Sequence, residues 1–356
     1  MLHRLLLFFS LAVSARAAEP RDISAALEPI RAKYKVPACA SAVVENGHVT
    51  AIGATGLRRA DDAVRVTTDD IWHIGSCTKS MTATLAGVLV DAGKLRWDMP
   101  VPEALAGLPC NPAWRKVTIW HLVTQRSGLG AVNRREWGAI STKSSREQRD
   151  NFARALLLHA PGEAPGNFDY SNAGYGLLGA ILEHVSGQSY EDLLRAHIFA
   201  PLELKTAGFG PPGSVGKLDQ PRGHWRHDDR LVPVDPTPEN QFPPALAPAA
   251  CVHMSLTDFA RYAAWLSSNQ PPLVKPETFK QLQTPPGDSS YAGGLWQSVL
   301  PGIGGEAVCH TGHLGGFFAV FYAGHTTACV SVFNTEGGGW EWLGDEISAV
   351  ALKASR

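Results

Sequence analysis

Runs of apolar and β-branched residues, which are typical of strands, occur near both ends of the chain. The dipeptide Asn46-Gly47 separates the first two runs and predicts a hairpin turn between them. The predicted strands are Ala38–Val44, Val49–Ala54, Gly294–Val299, Ala307–Thr311, Phe317–Tyr322 and Ala328–Phe333.

Apolar positions at helical spacing predict helices through the middle of the chain and near its two ends. Residues 211–250 break this pattern with nine prolines and predict a loop-rich excursion, with one hairpin around His227–Arg230. The predicted helices are 22–35, Met81–Ala92, Val117–Val123, Arg146–His159, Tyr175–Val185, Thr257–Leu266 and Glu341–Leu352.

Strands at both ends and helices between them predict an α+β fold with two structural parts. Residues 18–80 and 250–356 would form a discontinuous domain, an antiparallel sheet flanked by the terminal helices. Residues 81–249 would form an inserted, mainly helical domain that ends in the proline-rich loop 211–249. We expect the functional site in the crevice between the two parts.

Composition excludes several classes of protein. Hydrophobic residues make up 44% of the 356 residues, which is enough for a core and excludes global disorder. Lys plus Arg number 32 and Asp plus Glu number 33, so there is no basic surplus to bind nucleic acid. The histidines are scattered and no His-Glu-x-x-His motif occurs, so we expect neither a metal nor another cofactor.

Residues 1–17 resemble a secretory signal peptide. Arg4 precedes an apolar run at Leu5–Val13, and Ala15 and Ala17 occupy the small-residue positions of a cleavage site. The run is shorter than the roughly 20 residues that span a bilayer. We therefore expect cleavage, a periplasmic or secreted protein, and no remaining membrane anchor. The six cysteines could form disulfides in that compartment or remain buried thiols, and the sequence leaves both open.

A serine and a lysine three residues apart mark the start of the second predicted helix. Ser76 and Lys79 would share one face of this helix. The positive end of the helix dipole favours a developing alkoxide on Ser76, and a buried lysine can accept the serine proton. A second such pair, Ser214 and Lys217, lies in the proline-rich loop with no helix after it, so it lacks this geometry.

Two further polar motifs stand at the ends of predicted elements. Residues 169–172 (Asp-Tyr-Ser-Asn) precede a helix, where Tyr170 could relay a proton and Asn172 could anchor a lysine and a substrate carbonyl. Residues 309–312 (Cys-His-Thr-Gly) end a strand, whose edge could pair with an extended substrate and whose backbone N–H near Gly312 could bind an oxyanion. Taken singly, the first motif is also typical of a helix cap and the second of a glycine turn.

Together and in this order, the three motifs resemble those of serine β-lactamases and penicillin-binding proteins, on the branch of class C enzymes, D-alanyl-D-alanine carboxypeptidases and esterases. The strings at 91–95, 120–129 and 199–202 also resemble that family, so the resemblance extends over about residues 22–352. It implies the fold described above and hydrolysis of an amide or ester carbonyl through an acyl-enzyme. The implied substrate is a small molecule or a peptidoglycan-type compound.

The resemblance also implies a role for each motif residue. Ser76 would be the acylated nucleophile, with Lys79 and Tyr170 sharing the base and acid roles. The remaining residues would bind substrate. Asn172 would orient Lys79 and the substrate amide, the backbone N–H groups of Ser76 and His313 would form the oxyanion hole beside Gly312, and His310 and Thr311 would meet a substrate carboxylate or the proton network.

The chain departs from the family at three places. His310 replaces a lysine of many members, and histidine is only partly charged near neutral pH. This substitution favours a carboxypeptidase or esterase over a β-lactamase, while a non-turnover penicillin- or peptidoglycan-binding protein stays an alternative. His313 is bulky and is expected to narrow the acyl site, and Ala250-Cys251 stand where a glycine pair is common.

Overall fold

The computed structural model describes residues 19–130, 144–228, 230–336 and 340–356. The predicted signal peptide, residues 1–17, lies outside the described residues. The predicted α+β fold is confirmed, with strands from both ends of the chain in one sheet.

The strands are β1 (Arg21–Asp22), β2 (Ala38–Glu45), β3 (His48–Gly56), β4 (Ile71–His73), β5 (Gly208–Phe209), β6 (Gly223–His227), β7 (Arg230–Val234), β8 (Val252–Ser255), β9 (Trp296–Val299), β10 (Glu306–Leu314), β11 (Phe317–Ala323) and β12 (Thr327–Phe333). The helices are α1 (Ser24–Lys33), α2 (Thr78–Asp91), α3 (Val101–Ala104), α4 (Ile119–Val123), α5 (Ser145–Leu157), α6 (Asn172–Ser186), α7 (Tyr190–Leu194), α8 (Ala247–Ala250), α9 (Leu256–Ser268), α10 (Pro276–Gln283) and α11 (Glu341–Ala354).

The main sheet has seven strands in the order β1-β3-β2-β12-β11-β10-β9. Its two halves join where β2 pairs antiparallel with β12, with Ser41 opposite Ser331. The terminal helices α1 and α11 pack on one face of the sheet through a buried cluster that includes Leu27, Phe318 and Ile347. The other face carries the larger cluster, to which both the sheet and the central helices contribute.

A second sheet, of three short strands in the order β4-β8-β5, was not predicted from the sequence. Its strands have two to four residues, too few for an alternating pattern to appear. Helix α10 was also missed. The hairpin expected in the proline-rich region is present as β6 and β7.

Strand β10 has a partly open edge. Strand β9 pairs only with Glu306–Cys309 of β10, whereas β11 pairs with β10 from Val308 to Leu314. Beyond Cys309, the β9 side of β10 therefore carries no partner strand among the described residues. The same strand is in contact with the turn that begins α2.

All six cysteines lie among the described residues, and each is a free thiol. Five of them are buried, so the thiol alternative holds in this structure. Within the described ranges, no helix combines the length and apolar character that a membrane span requires.

Candidate active site

A tight turn between β4 and α2 presents Ser76. Gly75–Cys77 form a single 3-10 turn, and Gly75 adopts φ +50°, a left-handed conformation that favours glycine. The Thr78 hydroxyl donates to the carbonyl of Gly75 at 2.7 Å and accepts from the amide of Val252 at 3.1 Å. These bonds fix Ser76 at the N-terminus of α2, at the positive end of the helix dipole.

The Lys79 side chain is fully buried and has three polar neighbours. Its Nζ lies 2.8 Å from Asn172 Oδ1, 2.9 Å from the Ala249 carbonyl oxygen and 3.0 Å from Ser76 Oγ. The first two are acceptors only, whereas the hydroxyl can donate. A neutral amine would satisfy both acceptors with its two N–H groups, which leaves its lone pair for the Ser76 proton.

Burial separates the proton affinities of Lys79 and Tyr170. Burial holds the pKa of Lys79 well below its usual range, because the charged form loses its water. It raises the pKa of Tyr170 above its usual range, and a side-chain hydrogen bond with Ser76 opposes that shift in part. The Tyr170 ring centre lies 4.6 Å from Lys79 Nζ. Burial therefore favours the neutral amine of Lys79 and the protonated phenol of Tyr170.

Two hydrogen bonds of Ser171 hold the segment that carries Tyr170 and Asn172. Ser171 caps α6 by accepting a hydrogen bond from the amide of Gly174 at 3.1 Å, so the cap predicted for this motif coexists with a site role. The amide of Ser171 donates to Gln125 Oε1 at 2.9 Å. The cap places Asn172 at the first position of α6, where its side chain reaches Lys79.

Strand β10 lies directly against the turn of Ser76. A Cβ built on Gly312 would stand 2.0 Å from the carbonyl oxygen of Ile74 and 2.8 Å from the amide nitrogen of Ser76. A Cβ on Gly75 would stand 2.6 Å from the amide nitrogen of His313. The backbone at Ser76 and at Gly312–His313 is thus brought together as the oxyanion-hole prediction requires.

His310 is buried beneath this edge and uncharged. Its Nδ1 donates to the carbonyl of Thr311, and the Tyr291 hydroxyl lies 3.3 Å from its Nε2. Burial is the main cause that lowers the pKa of His310 to about 3. The prediction that His310 is partly charged near neutral pH is therefore wrong. The His310 ring instead joins a hydrogen-bond network near Tyr170, and the centres of these two rings lie 6.3 Å apart.

The His313 side chain points away from the site. Its ring packs 4.6 Å from that of Phe318, its register partner on β11, whose side chain belongs to the cluster under the terminal helices. Successive residues of a strand face opposite sides, so Gly312 faces Ser76 while Thr311 and His313 face the other layer. The prediction that His313 narrows the acyl site is wrong, and this residue offers its backbone to the site.

Several contacts of the site were missed because they leave no signal in the sequence. Ala249 acts through its carbonyl oxygen, which every residue has. Gln125 and Tyr291 lie far along the chain from the motifs they touch. Within the described ranges, no group of three His, Cys, Asp or Glu residues is placed to hold a metal ion. The second serine–lysine pair is absent from the site, since Ser214 donates to Asp219 in an exposed turn.

An aromatic wall of three side chains, Phe168, Tyr291 and Trp296, stands beside Tyr170. The ring centre of Phe168 lies 5.5 Å from that of Tyr291 and 5.2 Å from that of Trp296, and Phe168 is 38% exposed. Trp296 pairs with Cys309, at the point where the open edge of β10 begins. The wall therefore borders the Tyr170 end of that edge.

Comparisons with known proteins agree with this geometry. The family model described as Beta-lactamase matches residues 23–351. Penicillin-binding protein 4 of Amycolatopsis lactamdurans is 35% identical over 183 residues, which cover 50% of this chain and 46% of that protein. The putative penicillin-binding protein PbpX of Bacillus subtilis (strain 168) is 25% identical over 260 residues, 73% of this chain and 61% of that protein. The chain thus spans about half to three-fifths of the length of these relatives.

Solved structures show the same fold. The octameric penicillin-binding protein homologue from Pyrococcus abyssi has a TM-score of 0.74 at 27% identity, covering 93% of this chain and 76% of that one. The D-amino acid amidase from Ochrobactrum anthropi SV3 has a TM-score of 0.74 at 22% identity, covering 93% and 97%.

The family match covers nearly the whole described chain and includes all three motifs that meet at Ser76. The chain therefore belongs to the Beta-lactamase family, within the superfamily of serine hydrolases that includes the penicillin-binding proteins.

Proposed function

We propose that this protein is an exported serine hydrolase that works through an acyl-enzyme on Ser76. The proposal depends on the hydrogen-bond partners of Lys79 Nζ. Asn172 Oδ1 and the Ala249 carbonyl oxygen can only accept, so a neutral amine keeps its lone pair for the proton of the Ser76 hydroxyl. Burial disfavours the charged lysine and so supports the same assignment.

Acylation and deacylation then follow from these contacts. Ser76 Oγ forms a bond to the substrate carbonyl carbon while Lys79 takes the hydroxyl proton, and the amides of Ser76 and His313 stabilise the oxyanion. The bond to the leaving group breaks, and that group takes the proton from Lys79 through Tyr170, which stays protonated overall. Water next attacks the acyl-enzyme, its proton passes to Lys79, and Ser76 is released with the proton restored.

The substrate is an amide or an ester, handled in the manner of a D-alanyl-D-alanine carboxypeptidase or an esterase. Neutral His310 offers no positive charge to a substrate carboxylate, and the aromatic wall borders the side where Tyr170 protonates the leaving group. Both features favour an uncharged leaving group, so an ester or a simple amide ranks above a D-Ala-D-Ala peptide, whose leaving group carries a carboxylate. The amidase among the structural neighbours supports the amide class.

The alternative is a protein that captures penicillin without turnover, which the names of the relatives favour. A panel of a short-chain aryl ester, a D-amino acid amide, a D-Ala-D-Ala peptide, nitrocefin and labelled penicillin separates the two. Turnover of the ester or amide supports hydrolysis. A penicillin adduct that persists for hours, with no turnover of the other compounds, supports capture. Nitrocefin as the best substrate by a wide margin would indicate a β-lactamase.

Two pairs of variants assign the chemistry within this panel. We expect Ser76→Ala to lose all turnover and Lys79→Ala nearly all of it. Ser214→Ala and Lys217→Ala are the matched controls, because they remove the other serine–lysine pair, which lies in an exposed turn. Full activity in either site variant would contradict the proposal.

Export has its own test. N-terminal sequencing of the protein recovered from its native compartment should begin at Ala18, after cleavage behind Ala17. A mature protein in the cytoplasm that still begins at Met1 would contradict export without affecting the chemistry.

A further inference from the structure

His73 lies three residues before Ser76, at the end of β4, and its ring bonds the turn that carries the nucleophile. Its Nδ1 accepts a hydrogen bond from the backbone N–H of Gly75 at 3.0 Å. The ring is 3% exposed. Burial, with the charge of His253 as a lesser cause, lowers the pKa of His73 to about 3, so the ring is neutral and Nδ1 keeps its lone pair.

The backbone N–H of Gly75 needs a hydrogen-bond acceptor from outside the helix. Gly75 is buried at φ +50°, directly before Ser76, at a helix start where amides lack partners within the helix. Its Cα stands so close to β10 that an added Cβ would lie 2.6 Å from the amide nitrogen of His313. The peptide that His73 holds thus fixes both the Ser76 side chain and the separation of the two oxyanion-hole amides.

The His73 ring is itself held in place by the three-stranded sheet. His73 pairs with His253 across β4 and β8, and His253 Nδ1 donates to the carbonyl of Gly210 at 2.8 Å. The amide of Ile74 donates to the carbonyl of Val252 at 3.0 Å, so the chain stays on β8 beyond the strand end. These contacts anchor the His73 ring to the three-stranded sheet, independently of the Gly75–Cys77 turn.

We propose that His73 is a positioning residue for acylation, which holds the Gly75 peptide so that Ser76 Oγ and the Ser76 amide face the substrate carbonyl together. His73 reaches Ser76 only through Gly75 and takes no part in proton transfer. The proposal rests on the acyl-enzyme function of Ser76.

Three substitutions separate positioning from packing. His73→Asn keeps an acceptor at the position of Nδ1, because Oδ1 is also two bonds from Cβ. His73→Gln moves the acceptor one bond further out, and His73→Phe keeps a ring without an acceptor. The measurements are the single-turnover rate constant for the Ser76 adduct, the dissociation constant of the preceding complex, and the unfolding temperature, all with a short-chain aryl ester.

We expect the acylation rate constant to fall about ten- to a hundredfold in His73→Gln and His73→Phe, and to stay within about threefold of wild type in His73→Asn. The dissociation constant should stay unchanged in all three, because His73 is only 3% exposed and would act on the substrate only through the Gly75 peptide. If His73→Phe fails to fold, the contrast between the two amide variants decides.

Equal rate constants in all three variants and the wild type would overturn the assignment of His73, as would equal losses in His73→Asn and His73→Gln. Either result leaves the acyl-enzyme itself intact. Absence of any Ser76 adduct in the wild type would instead overturn the proposed function, and this inference with it.

Discussion

Gly312 offers the sharpest test of how β10 and the nucleophile turn fit together. In Gly312→Ala the new Cβ would meet the carbonyl oxygen of Ile74 at 2.0 Å and the amide nitrogen of Ser76 at 2.8 Å. Both are backbone atoms, so no side chain can swing away. A carbon–oxygen contact of roughly 3.3 Å is the normal limit, so β10 and the turn must separate by about 1 Å.

A shift of that size acts on the oxyanion hole, since one of its proposed donors lies on each side of the contact. Misplacement by about 1 Å can cost a factor of about 100 in rate. We therefore expect kcat/KM of Gly312→Ala to fall about a hundredfold, or about 2.7 kcal/mol of transition-state stabilisation.

The assay is hydrolysis of a short-chain aryl ester, read together with the unfolding temperature. Gly162→Ala is the matched control, because its added Cβ would meet only the Gly128 carbonyl oxygen at 3.5 Å, an ordinary contact. Wild-type kcat/KM in Gly312→Ala, or an equal loss in Gly162→Ala, would refute the reasoning.

Three further predictions concern the base, the leaving group and the buried charges. If neutral Lys79 is the base, kcat/KM should increase as the pH is raised through the lowered pKa of Lys79, because only the neutral amine can accept the Ser76 proton. A kcat/KM that is independent of pH from acid to alkaline conditions would contradict this. Phe168→Ala should lower the acylation rate constant about tenfold for esters with an aromatic leaving group, because the ring is proposed to contact that group. The deacylation rate constant of the acyl-enzyme should stay unchanged, and equal effects on both rate constants would contradict a leaving-group contact. Arg149→Ala should lower the free energy of unfolding by about 3–5 kcal/mol, because Arg149 is the buried partner of two glutamates, and a urea titration should show under 1 kcal/mol for exposed Arg154→Ala.

The long elements and the site motifs could be predicted because local pattern and burial agree there. The strands that join the two ends of the chain alternate or run apolar, and each motif stands at the end of an element. Ser76 and Lys79 meet because residues three apart on a helix are neighbours, which spacing alone predicts. The division into domains at residues 80 and 250 stays a prediction, and the larger buried cluster takes residues from both parts.

The remainder of the site depends on contacts that sequence does not encode locally. The charge state of His310 follows from burial under Tyr291, and the direction of the His313 ring follows from the phase of β10. The role of Ala249 belongs to a backbone carbonyl. The strand that carries His73 has three residues, too short for any periodicity to show.

If Ser76 is the nucleophile, it becomes acylated during turnover. Intact-mass measurement after rapid acid quench, followed by peptide mapping, tests it directly. We expect one added acyl mass on the peptide that contains Ser76, with no adduct in Ser76→Ala and an unchanged adduct in Ser214→Ala. Turnover without an adduct at Ser76, or an adduct that survives in Ser76→Ala, would contradict it.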